Sequence, residues 1–229
     1  NLICEDERTL DKECSSVCIK AYAEPKEAAF RDITYKIVDD LGIKSHLAEA
    51  HVSKKPDGSD QVKIDAKGDG RFRLRATAGS EGQNVRVISD IEFEATGLGQ
   101  AFRNPYEFVW GSTYSSSIGG VGSGNEKGFA TARGDRTIVI FDDIDFGRSG
   151  AESITIPIFA LDSDDVPLKV WAGVPGSGEE ILLVDTVFSH PRQWSVFFEG
   201  TWPLMHQIKG IASISLEFDN KVHVRGFSF

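Results

Sequence analysis

Short runs of alternating apolar and polar side chains, each closed by glycine or aspartate, follow one another along this chain, and almost no segment carries a helical period. Alternation places successive side chains on opposite faces of an extended backbone. The pattern therefore calls for an all-β fold. Residues 16–23 (SVCIKAYA), 30–38 (FRDITYKIV), 61–66 (QVKIDA), 71–78 (RFRLRATA) and 85–95 (VRVISDIEFEA) are predicted as strands, with turn signals at 39–42 (DDLG) and 68–70 (GDG). Within them Ile33, Tyr35 and Ile37 share one face, as do Phe72 and Leu74. Residues 44–51 are the exception and are predicted as one or two helical turns. Strands at this spacing suggest an immunoglobulin-like sandwich.

A boundary is predicted at Gly97-Leu98-Gly99, giving domains 1–97 and 98–229. Beyond it glycine and aromatic residues become frequent. Residues 114–128 (YSSSIGGVGSGNEKG) are predicted as a long polar loop. Strands are expected at 129–131, 136–141, 153–160, 168–172, 181–187, 194–199, 210–218 and 222–229. The closing nine residues, 221–229 (KVHVRGFSF), read as the last strand of a jelly roll. Val222, Val224, Phe227 and Phe229 alternate there with polar groups.

Lysine and arginine number 25 against 35 aspartates and glutamates, a formal charge of −10. Such a surface repels phosphate backbones and anionic headgroups, so neither nucleic acid nor membrane is expected as a partner. No apolar stretch is long enough to cross a bilayer. A hydrophobic share of 40% suffices for a packed core. Met205 is the only methionine and Asn1 stands first, so the chain reads as a piece of a longer polypeptide. The three cysteines, Cys4, Cys14 and Cys18, are odd in number and lack zinc-ligand spacing. Ordinary thiols point to a reducing compartment such as the cytoplasm, with one disulfide as the alternative.

The chemical motifs are weak. The run Gly119-Gly120-Val121-Gly122-Ser123-Gly124 precedes a strand and not a helix, and no Gly-Lys-Ser/Thr follows, so it is neither a dinucleotide nor a P-loop signature. As Gly120-Val121-Gly122-Ser123-Gly124 it also lacks the strand and helix of a nucleophile elbow. His46, His51, His190, His206 and His223 are scattered without metal spacing. Asp142, Asp143 and Asp145 close one strand, and Asp162, Asp164 and Asp165 occupy a turn. Solvated turn carboxylates are the plain reading. A calcium site and a glycosidase pair are its alternatives. Arg133-Gly134-Asp135 reads as a hairpin turn. Most of the aromatics must form the core. Trp194 follows Pro191-Arg192-Gln193 and stands at a loop end, either at the sandwich rim, where it can stack on a sugar, or buried between sheets.

Several of these stretches resemble galactose-binding-like jelly rolls grouped with family-6 carbohydrate-binding modules. They are Gly128-Phe129, residues 141–147 (FDDIDFG), residues 167–175 (PLKVWAGVP), Gln193-Trp194 and the final strand. The order of Asn104-Pro105-Tyr106, residues 124–128 (GNEKG), residues 154–161 (ITIPIFAL) and residues 222–229 resembles the C-terminal end of bacterial family-2 glycoside hydrolases of the β-galactosidase kind. Residues 32–35 (DITY) and 68–76 (GDGRFRLRA) resemble their accessory immunoglobulin-like domain. The likeness implies two β-sandwiches in series, an immunoglobulin-like domain followed by a galactose-binding-like jelly roll. It implies no catalytic group, since the acid and nucleophile of those enzymes lie on a barrel that this chain lacks.

The resemblance further implies a sugar cleft in which Trp194 and Phe129 stand for two stacking aromatics and His223 stands where an asparagine is usual. Asn125 and Glu126 belong to the same expected site. A structural calcium held in part by an acidic residue near the C-terminus is also implied, but Arg225 stands at that place, so no cofactor is expected. The expected partners are carbohydrate and the rest of the parent chain. The alternative is a purely structural pair of domains that packs on the catalytic barrel or mediates oligomerisation.

Overall fold

The computed structural model describes residues 1–24, 33–79, 86–162 and 165–229. They form two compact units, Asn1–Ala101 and Phe102–Phe229. Among the described residues the helical segments are two single 3-10 turns, Gly111–Thr113 and Asn125–Lys127.

The first unit contains β1 (Leu2–Cys4), β2 (Thr9–Leu10), β3 (Ser16–Ala21), β4 (Ile33–Val38), β5 (Ala48–Lys54), β6 (Asp60–Ala66), β7 (Gly70–Ala78) and β8 (Val87–Ala95). They form two four-stranded sheets, ordered β1-β3-β6-β5 and β2-β8-β7-β4. Neighbours are antiparallel except β2 and β8. The core alternation is visible in the side chains. Ile19, Val62 and Ile64 share a buried cluster with Phe72, Leu74 and Phe93. The intervening residues of β7 carry Arg71, Arg73 and Arg75, which face Glu94, Glu92 and Asp90 across the ladder and pair with them.

Residues 44–51 are not helical. β5 pairs with β6 along its whole length, from Ala48↔Ala66 to Lys54↔Asp60. A helix this short is marginal on its own, whereas the ladder satisfies the backbone and buries Ala48 in the core. The first residues of the strand predicted at 30–38 and Val85 of that at 85–95 lie outside the described residues.

The second unit contains β9 (Val109–Trp110), β10 (Ser116–Ile118), β11 (Val121–Ser123), β12 (Phe129–Thr131), β13 (Thr137–Asp145), β14 (Ala151–Phe159), β15 (Asp165–Ala172), β16 (Ile181–Ser189), β17 (Phe198–Ile208), β18 (Ile211–Phe218), β19 (His223–Val224) and β20 (Gly226–Phe227). Two five-stranded sheets, β10-β13-β18-β15-β16 and β11-β12-β19-β14-β17, enclose the core, and β9 pairs with β20. The chain crosses repeatedly from one sheet to the other, as a jelly roll does. Val139, Phe141, Ile214, Leu216 and Phe218 from one sheet pack with Phe129, Ile154, Ile156, Ile158 and Val224 from the other. Each such side chain contributes about 1.5–3 kcal/mol by leaving water.

Four local expectations change. The strand expected at 222–229 is broken into β19 and β20, which pair in different sheets. Residues 114–128 are not one loop, because β10 and β11 lie within them, one on the edge of each sheet. The strand predicted at 194–199 begins only at Phe198 and runs to Ile208, so Trp194 precedes it. That strand tolerates Pro203 because it is an edge of its sheet. Arg133-Gly134-Asp135 is not a hairpin turn, since β12 and β13, which flank it, belong to different sheets.

Candidate functional site

β19 lies between β12 and β14, with His223 opposite Ala130 and Phe159, and Val224 opposite Phe129 and Ile158. Period-two alternation sends these sets to opposite faces. Val224, Phe129 and Ile158 belong to the core cluster, and Phe159 does not. Yet Phe159 is also fully buried. Its cover is local: the His223 ring lies parallel to it at 4.4 Å, Phe197 meets it edge-on at 5.0 Å, and Trp194 meets it edge-on at 5.9 Å. Trp194 also stands 6.2 Å from His223. The result is an aromatic platform on the outer face of the sheet. Trp194 is 64% exposed and is held in place by rings that are not.

Polar groups border this platform. The Asn125 side chain donates to Ser195 Oγ at 3.0 Å, tying the 3-10 turn at Asn125–Lys127 to the residue after Trp194. Glu126 and Lys127 both have left-handed backbone angles, with φ of 52° and 60°, and Ser195 is at 57°. Arg225 Nη1 lies 3.2 Å from Glu126, and its Nη2 lies 3.7 Å from Glu199. The same guanidinium stands 5.6 Å from the Phe108 ring centre and 5.5 Å from that of Phe197. Lys127 Nζ is 6.0 Å above Trp110.

Of the five residues expected at the site, the structure brings Trp194, His223, Asn125 and Glu126 together. Phe129 does not join them. It has no exposed surface and its ring packs on Phe141 and Phe218, each 6.3 Å away. The reason is parity: position 129 falls on the core side of β12, and Ala130 takes the outer side. Phe159, Phe197, Ser195 and Glu199 were not foreseen. A signal for Phe159 exists in the strand itself, where Ile154, Ile156 and Ile158 claim one face and leave a large aromatic on the other.

Burial, and secondarily the charge of Lys221, hold the His223 imidazole below its ordinary 6.5. The Nδ1 atom is buried without a hydrogen-bond partner. The folded chain therefore binds fewer protons than the unfolded chain just below pH 6.5. Stability is unaffected above that window and falls as the pH drops through it. An NMR titration of the His223 ring is expected to give a midpoint under 6.5. A midpoint at 6.5 would mean that the ring is solvated, and one above it that the ring pairs with an acid.

The residues near the C-terminus do not fit the calcium ion that the resemblance implies. Calcium takes six to eight oxygen ligands, and this place holds a guanidinium between two aromatic rings. Among the described residues, no group of three or more His, Cys, Asp or Glu is placed to hold a metal. The turn acids have local structural roles. Asp142 accepts from Ser213 Oγ at 2.7 Å and Asp145 from the Gly147 amide at 2.8 Å. Asp143 lies at the β13 irregularity with φ of 63°. Asp162 pairs with Arg133, and Asp165 accepts from Ser189. Asp164 lies outside the described residues. Cys4, Cys14 and Cys18 are free thiols.

Fold and site together define an all-β chain whose second sandwich is a jelly roll with an exposed aromatic platform. No protein-family model matches the chain, and no curated protein matches it. Among solved structures it is similar to a family 6 carbohydrate-binding module from Clostridium stercorarium in complex with cellobiose, at 22% identity over 56% of this chain and 96% of that one, with a TM-score of 0.47. It is also similar to a family 6 module from Clostridium cellulolyticum in complex with xylose, at 14% identity, 56% and 98% coverage and a TM-score of 0.46. A family 43 arabinoxylan arabinofuranohydrolase from Bacillus subtilis, in complex with cellotetraose, matches over 96% of this chain and 53% of that one, at 11% identity and a TM-score of 0.47.

Proposed function

We propose that this chain is a non-catalytic carbohydrate-binding region in which the jelly roll grips a sugar ring on Trp194. The observation that carries the reading is an indole 64% exposed yet anchored edge-on against Phe159 and His223. Large aromatics in a sandwich normally contribute to its core. A flat, preformed, exposed ring suits the C–H face of a pyranose, and the hydrogen-bonded pair Asn125 and Ser195, with Ser195 next to Trp194 and Glu126 next to Asn125 in the chain, supplies polar groups to orient hydroxyls. The first unit serves as an immunoglobulin-like spacer; its two sheet orders support that reading. The motif order further supports a place in the C-terminal region of a bacterial family-2 glycoside hydrolase of the β-galactosidase kind, with catalysis supplied elsewhere in the parent.

One stacked ring and a few hydrogen bonds suit a dissociation constant on the order of micromolar to millimolar. Calorimetric titration with galactose, lactose, glucuronic acid, xylo-oligosaccharides and cello-oligosaccharides tests this. At least one class should bind, and Trp194→Ala should weaken it tenfold or more while leaving the fold intact. Binding unchanged in Trp194→Ala would refute the site. No binding to any of these glycans, together with docking onto a family-2 catalytic domain, would favour a structural role.

A further inference from the structure

We propose that the Arg225 guanidinium is a permanent cation built into this site, which clamps the Asn125–Lys127 turn against β17 and makes the turn independent of calcium. The inference starts from the mismatch at the C-terminus. Where the resemblance leads one to expect an acidic ligand for a metal, Arg225 brings its own positive charge. Its two Nη groups reach Glu126 and Glu199, which belong to different segments of the chain. Its Nε is buried without a hydrogen-bond partner. The guanidinium is thus held by its two Nη ends and by the Phe108 and Phe197 rings near it. A planar fork can lie along aromatic rings while its two Nη groups reach carboxylates in fixed directions, a geometry that the compact, strongly hydrated ammonium of lysine does not reproduce.

The turn needs such support. Glu126 and Lys127 are consecutive non-glycine residues in left-handed backbone conformations. That arrangement persists only where the surroundings over-determine it. Its own backbone contributes few bonds: Gly128 N–H to the Asn125 carbonyl, and Gly124 N–H to the Gly128 carbonyl. The remaining constraints come from outside. They include Asn125 to Ser195, Glu126 to Arg225, and Lys127 over Trp110. Arg225 is itself fixed, because its N–H donates to the Pro157 carbonyl and its carbonyl accepts from Gly111. Each partly exposed ion pair is weak alone, so the clamp acts on the turn and not on the whole fold. A second cation beside the guanidinium would meet like charge and carboxylates already in use, which is why calcium has no place there.

Arg225 is therefore a positioning residue. By holding Glu126 it fixes the turn that places Asn125 beside Ser195 and Trp194. Its link to sugar binding rests on the function proposed above; the clamp itself does not. The test uses the full chain without ligand. The thermal midpoint should agree within about 1 °C in excess calcium and in chelator, and a rise of several degrees with calcium would overturn the built-in cation. In Arg225→Met, amide exchange at Glu126, Lys127 and Gly128 should quicken at least tenfold while β13 amides keep wild-type rates. Turn amides that exchange no faster than in wild type would overturn the clamp, as would equal acceleration everywhere. Glu126→Gln should quicken the same amides, and combining it with Arg225→Met should add little. Additive effects would mean that the two residues act separately. Arg225→Lys should restore protection only in part, and full restoration would refute the role of the planar fork. Should Arg225→Met fail to fold, Glu126→Gln and Arg225→Lys decide the matter by the same exchange readout. If a glycan binds the wild type, Arg225→Met should weaken it severalfold. If none binds, the function proposed above fails, and the calcium and exchange results still judge the clamp.

Discussion

Phe129→Ala is expected to lower folding stability by about 3–5 kcal/mol, the range for deleting a phenylalanine from a packed core. The ring has no exposed surface and touches both sheets, meeting Phe141 and Phe218 at 6.3 Å each. Ile158 and Val224 lie beside it in the ladder, so removal leaves a cavity lined by core side chains that are anchored on hydrogen-bonded strands and cannot easily close in. Chemical denaturation followed by tryptophan fluorescence should show a markedly lower midpoint with an unchanged slope. A loss under about 1 kcal/mol would show that the ring is not part of the core. Trp194→Ala is the informative contrast: it removes a side chain that is mostly in water, so its effect should fall on ligand and not on stability.

Gly128→Ala is expected to be strongly damaging for so small a substitution. A Cβ there would stand 2.2 Å from the Val224 carbonyl oxygen and 3.0 Å from Arg225 Cα. Both obstacles are backbone of the C-terminal strand, so neither can rotate away. Gly111 completes the same contact, with its own would-be Cβ 2.7 Å from the Val224 oxygen and 3.1 Å from Gly128 Cα. Overpacking of this kind costs about 1–3 kcal/mol, and here it must also displace the turn that carries Asn125. Gly122→Ala is the control. It sits on β11 with nothing within 4 Å of the added carbon, so its effect should stay within about 0.5 kcal/mol. Equal midpoints for the two variants would mean that the turn does not press on β19 as the structure has it.

The strands were legible where period two was clean. The runs at 16–23, 61–66 and 71–78 match β3, β6 and β7 closely, because alternation is a local property that every residue of a half-buried strand expresses. Residues 44–51 carry a misleading local signal, because a short stretch with Ala48, Glu49 and Ala50 has good helical propensity while its partner strand β6 lies further along the chain. The start of β17 is not visible locally, because Trp194 and Phe197 look like strand residues, while their burial partners, Phe159 and His223, come from distant segments.

At the site itself, the family resemblance pointed to Trp194, His223, Asn125 and Glu126, and it pointed equally to Phe129. One residue of parity separates Phe129 from the outer face, and only the pairing of β12 with β19 settles which side it takes. Arg225 was visible as a departure from an expected acid, but its two carboxylates and two rings were not, since they arrive from residues 108, 126, 197 and 199.

The amino-acid order alone determined that this chain is built of strands, since the two-residue rhythm and the glycine and aspartate turns act through neighbouring peptide units. Tertiary structure decided which aromatics are core and which face water, because that depends on how strands far apart in the chain come into register, and a register is a property of pairs.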